Sequence, residues 1–156
     1  MRDPATVLGE WYTGEVGGEA LFWQLASAAE PGQARKWLAL AAVEARTATR
    51  LKDALVAAGL GLPDAADSLA WARERATAMG GRPWLAQMEW LEAIAREALL
   101  EMQAEAARLP ARLAAIGAVV VAHEAALVEF ARLERAGDSA ASLAPLERFL
   151  AVTAPA

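Results

Sequence analysis

Apolar residues recur at three-and-four spacing over four long stretches of this chain, and each apolar stripe is interrupted by an acid or by the single histidine. That spacing is the mark of a helix with one face turned to a core. The first stretch, residues 9–29, has Leu8, Tyr12, Phe22 and Leu25 on its apolar side, with Glu15 and Glu19 on the same seam. Glu30-Pro31-Gly32 stops it. The second, 33–58, carries Trp37, Leu40, Glu44, Thr47 and Leu51 at seam spacing and ends at Gly59 and Gly61. A shorter helix, 64–79, starts at Asp64, a good N-cap residue.

Pro83 opens a further long helix, 83–109, with the stripe Leu85, Met88, Glu92, Ala95, Leu99, Met102. After the break at Pro110, residues 111–135 read Leu113, Ile116, Val120, His123, Leu127, Phe130. Gly137 closes that helix, and a last short one spans 143–151. Short turns force antiparallel neighbours, and the long link between the second and third long helices permits a crossover. The expected architecture is all-α: an antiparallel four-helix bundle, a crossover connection holding a short helix, and a short C-terminal helix, all in one domain over 1–156.

An ionised group on a buried stripe is costly unless something pairs with it, and a metal ion is the simplest shared reason for four such stripes. Glu19 lies twelve residues before Pro31 and Glu44 thirteen after it, so the two carboxylates are expected face to face. Two carboxylates together repel unless one takes a proton or a cation joins them. Carboxylate oxygen with imidazole nitrogen suits iron or manganese. Glu15, Glu19, Glu44, Glu92 and His123 are the candidate ligands. Glu92 and His123 differ in distance from Pro110 by five residues, roughly 7 to 8 Å of helix rise, so Glu124, Glu97 or Glu89 are alternatives on those helices. The non-metal reading of Glu44 is a buried ion pair with Arg46 or Arg50. Gly17-Gly18, inside the first helix, signals close backbone approach, room for a ligand or a local bulge, or else tight packing against a tryptophan.

Over residues 9–135 this layout resembles the ferritin-like superfamily, the carboxylate-bridged two-metal bundles that include ferritins and rubrerythrins. That family places a Glu on each of two helices and a Glu-x-x-His on each of the other two. Here Glu19, preceded by Glu15, stands on the first helix and Glu92 on the third. Glu44-Ala45-Arg46-Thr47 has threonine where the histidine belongs, and Val120-Val121-Ala122-His123 has valine where the glutamate belongs. The resemblance implies iron or manganese in the bundle, with redox or oxygen chemistry. The altered motifs leave three states open: a carboxylate-rich site of changed make-up, a single-metal site, or a lapsed site in a metal-free scaffold.

Composition narrows the rest. The net charge of -5, with both signs interspersed, lacks the basic stripe of a nucleic-acid binder and the attraction for anionic lipid. There is no cysteine, which removes disulfides and thiolate ligands, and one histidine makes a hydrolase triad improbable. The start of the chain lacks a secretory layout and the run 114–122 is too short to span a bilayer, so a cytoplasmic protein without membrane partners is expected. The same run, apolar nearly all round, predicts an enclosed helix or a contact between two copies, and a homodimer is the expected assembly. The six tryptophans, scattered over several helices, read as packing or interface residues.

Overall fold

A computed structural model describes residues 2–155. Among them there are six α-helices and no strand: α1 Pro4–Ala28, α2 Pro31–Ala57, α3 Ala66–Gly80, α4 Trp84–Ala106, α5 Ala114–Arg135 and α6 Ala144–Val152. A 3₁₀ turn, Ala111–Leu113, leads into α5. Prolines mark the starts of helices. Pro4 opens α1 five residues ahead of the expected start, and Pro31 opens α2. At both positions the ring's fixed φ suits the first turn and its missing N–H has no partner to lose. Gly59 and Gly137, with φ of 70° and 80°, end α2 and α5. The N–H of Leu60 reaches Leu55 O at 2.9 Å, and that of Asp138 reaches Leu133 O at 2.9 Å, so the last carbonyls are satisfied through a left-handed glycine. Asp64 Oδ1 accepts the N–H of Ala66 at 3.1 Å, just before α3.

α1 packs along α2 and α4 along α5, the two most extensive pairings. α3 lies on α1, α6 covers parts of α5 and α2, and α2 meets α5. Two apolar clusters result. One joins Val7, Leu8, Trp11, Leu51, Leu55, Ile116 and Val120. The other is built on Phe22, Leu25, Trp37, Leu40, Met88, Leu91, Phe130 and Phe149. On α1, α2 and α5 alike, buried polar residues stand between the two clusters: Glu15; Glu44 and Thr47; His123 and Glu124. The core is therefore divided by a polar layer.

Ala111–Arg135 is, by length and composition, the one stretch among the described residues long and apolar enough to cross a membrane. The uninterrupted run used for the expectation above is shorter because His123 and Glu124 break it. In this fold α5 lies against α2, α4 and α6, and those two polar side chains are buried.

Candidate metal centre

The register of α1 sets the site. Its buried line is Leu8, Trp11, Glu15, Phe22 and Leu25, an alternation of threes and fours completed by Gly18. Tyr12 and Glu19, expected on the seam, are only half-buried because the helix is turned toward Trp11. The loop explains the difference. Pro31 is already the first residue of α2, so the turn is centred between Ala29 and Glu30. Glu15 and Glu44 stand equally far from that midpoint. Counting from Pro31 moved the expected partner of Glu44 about one helical turn along α1, to Glu19.

Glu15, Glu44 and His123 are each buried and offer one ligand atom apiece within 4.8 Å of one another. His123 Nδ1 is 2.9 Å from Glu15 Oε2, and Nε2 is 3.2 Å from Glu44 Oε1. The second contact is an aligned hydrogen bond. The first is not: although close, Glu15 Oε2 and His123 Nδ1 have no hydrogen-bond partner among the described residues. Buried polar atoms are nearly always paired, so two neighbouring orphans are an unusual feature. Phe149 of α6 closes the site on one side, its ring centroid 5.8 Å from that of His123.

Electrostatics mark the same place. Burial pushes the Glu44 carboxyl up to about 8; the charge of His123 lowers it, and Glu15 raises it again. Burial acts to hold His123 down, but the adjoining carboxylates Glu15 and Glu44 carry it well above the usual histidine range. Glu124 is pushed up to about 7, chiefly by burial. A centre with three acids and one imidazole thus holds protons that solvent-exposed carboxyls would have lost.

The other sequence candidates lie elsewhere. Glu92 is buried at the edge of α4, where Arg135 Nη1 and Arg96 Nη2 reach its carboxylate at 2.7 and 2.6 Å and hold it below the usual range. It sits toward the Arg135 end of α5, consistent with the five-residue mismatch with His123. Glu19 is half-buried and outside the three-residue cluster. No arginine pairs with Glu44 among the described residues: Arg46 Nη1 donates instead to Leu150 O at 3.1 Å. Glu124, weighed only as a substitute, is 7% exposed and borders the cavity beside the cluster.

The altered motif positions are filled by structural residues. Thr47 is fully buried and its hydroxyl donates to Val43 O at 3.2 Å, while Val120 belongs to the apolar cluster. The donor set therefore fits one metal ion with two carboxylates and an imidazole, and lacks the second histidine of a paired site. The glycines are accounted for as well. A Cβ on Gly17 would stand 3.1 Å from Ser68 of α3, so that glycine permits close helix approach. A Cβ on Gly18 would collide with the Glu44 carboxylate. Gly18 is the room Glu44 needs, and neither glycine packs on a tryptophan. Comparison of the chain with protein-family models, with curated proteins and with solved structures finds no match.

Proposed function

We propose that this protein is a four-helix bundle of α1, α2, α4 and α5 that binds one transition-metal ion through Glu15, Glu44 and His123. The observation that carries the reading is the convergence of three buried ligand residues, Glu15, Glu44 and His123, within 4.8 Å, with Glu15 Oε2 and His123 Nδ1 2.9 Å apart but not aligned as a hydrogen bond. A cation that accepts both removes the desolvation cost of each and the repulsion between Glu15 and Glu44. Two oxygens and one imidazole nitrogen suit iron or manganese, and an open side toward a cavity leaves room for an exogenous ligand. The helix pairings and the acid-rich middle of the bundle support a ferritin-like assignment, which adds redox or oxygen chemistry at the ion. The chain's own part is to hold the donors, exclude bulk water and keep the protons that metal uptake must displace.

Metal analysis tests this. After growth with added iron and manganese, the protein is expected to carry about one equivalent, and Glu15→Ala and Glu44→Ala less than about one-tenth each. The same low metal content in all three proteins overturns the reading.

The aligned His123–Glu44 bond favours a second reading, a metal-free scaffold in which the three side chains share protons. It requires a melting temperature indifferent to chelator.

A further inference from the structure

The cavity next to the cluster has a chemistry that a metal ion does not need. α1 and α4 are not closely packed against each other, and the space between them is a cavity of about 350 Å³. Its walls are apolar: Trp11, Phe22, Leu91, Ile94, Met102 and Leu127. Its base is Glu124 of α5, 93% of whose surface is covered (7% exposed) and which makes no hydrogen bond or ion pair with any described residue. Its mouth carries Glu10, Glu101 and Glu105 around a single Arg2, which pairs with Glu10. Metal sites are made of polar donors; a largely apolar wall that ends in buried acids, Glu124 beside Glu15 and Glu44, is the make-up of a pocket for an organic cation.

We infer that this cavity binds a small apolar amine, its ammonium group against Glu124 and its hydrocarbon or ring against Trp11, Phe22 and Leu91. An anion meets Glu15, Glu44 and Glu124 together. A neutral molecule covers Glu124, removes its water and leaves its carboxylate only the charge of His123, which Glu15 and Glu44 already share. A monocation with an apolar body satisfies both the base and the walls, and Trp11 adds an aromatic surface that favours ammonium groups. The acids at the mouth raise the local concentration of cations. The inference does not rest on the metal reading. With a divalent ion bound, Glu15 and Glu44 balance it and Glu124 is left over; without one, Glu15 and Glu44 bond to His123, and Glu124 still has no hydrogen bond or ion pair among the described residues.

The test uses the full chain, with chelator and separately with Mn²⁺. Calorimetry and tryptophan fluorescence follow phenethylamine, 2-phenylethanol and 3-phenylpropionate. Phenethylamine is expected to bind at one site, with the alcohol and the acid at least about tenfold weaker. Glu124→Gln weakens the amine by about thirtyfold and leaves the alcohol unchanged. Leu91→Trp fills the cavity and blocks the amine with every charge in place. Equal binding of the three probes, no binding of phenethylamine, or an amine affinity indifferent to Glu124→Gln overturns the proposal. So does a loss of Mn²⁺ stoichiometry in Glu124→Gln without amine binding, which makes Glu124 a metal ligand. Amine binding in a protein that takes no Mn²⁺ sinks the metal reading alone.

Discussion

Two buried acidic centres in this molecule have opposite designs. At the junction of α2, α4 and α5, Glu134 is almost wholly enclosed and fully answered. Lys36 pairs with one oxygen, Ser139 Oγ lies 3.2 Å from the same oxygen, and Trp84 Nε1 donates to the other at 2.7 Å. Burial acts to raise Glu134, but the bonds from Lys36 and Trp84 win and hold it below the usual range. Lys36 also lies over the Trp84 ring, 5.6 Å from its centroid. In the middle of the molecule, Glu15, Glu44 and Glu124 share one imidazole, and Glu44 and Glu124 are pushed upward. The first centre ties helices together. The second is answered by retained protons and one imidazole rather than by a fixed cationic side chain such as Lys36, and protons can be exchanged for a bound cation.

The sharpest break between the two comes from deleting an acid at each. Glu134→Ala strands Lys36, which is 15% exposed, and frees Trp84 Nε1; a loss of about 3 kcal/mol in denaturant-unfolding free energy is expected. An unchanged midpoint removes the structural role given to that centre. Glu44→Gln should act in the other direction. In metal-free protein above pH 8 it removes a charge that burial opposes, so a gain of about 1 to 2 kcal/mol is expected, fading toward pH 5 where Glu44 is already neutral. A loss of stability there means that Glu44 is a structural ion-pair partner like Glu134.

The smallest expected change in stability is the most specific. Gly18→Ala forces only the flexible end of Glu44 to move, and alanine's helix preference returns about 1 kcal/mol, so the melting temperature should stay nearly level. Metal affinity should still fall by about tenfold or more, because the displaced carboxylate is a proposed ligand. Equal losses of fold and affinity mean that Gly18 is there for packing.

The sequence carried the seams of α2 and α5, except that Leu113, expected at the head of the second, lies in the 3₁₀ turn before α5 and is half-buried. Trp37, Leu40, Glu44, Thr47 and Leu51 are all buried, as are Ile116, Val120, His123, Leu127 and Phe130. On those helices large residues sit on a single stripe, so the spacing admits one rotation. α1 admits two, because Trp11 and Tyr12 are adjacent and both aromatic, and the acids at 15 and 19 fit the second rotation as well. Gly18 held the deciding signal: the smallest residue stands where a facing carboxylate needs space. Glu92 was misleading for a different reason. Of its expected stripe Met88, Glu92 and Ala95 are buried, Leu99 and Met102 are half-buried and Leu85 is 59% exposed, and Arg96 one turn on and Arg135 across the helix pair neutralise the carboxylate. The cross-helix partner cannot be read from spacing within α4. The cavity at Glu124 was equally invisible, since it depends on how far apart α1 and α4 stand.

The most direct test is the melting temperature as a function of pH, with chelator and with Mn²⁺ in excess. Glu44, Glu124 and His123 all have raised values in the folded state. Each such group contributes stability that is full below its unfolded value and lost as pH rises through its folded value. With two or three such groups titrating at once, at about 1.4 kcal/mol per pH unit each, metal-free protein should lose about 3 kcal/mol per pH unit between pH 5 and 8. Metal binding needs the same groups deprotonated, so with Mn²⁺ the trend should reverse and stability should rise over that window. Two superimposable curves contradict the claim that the central acids are held for a cation.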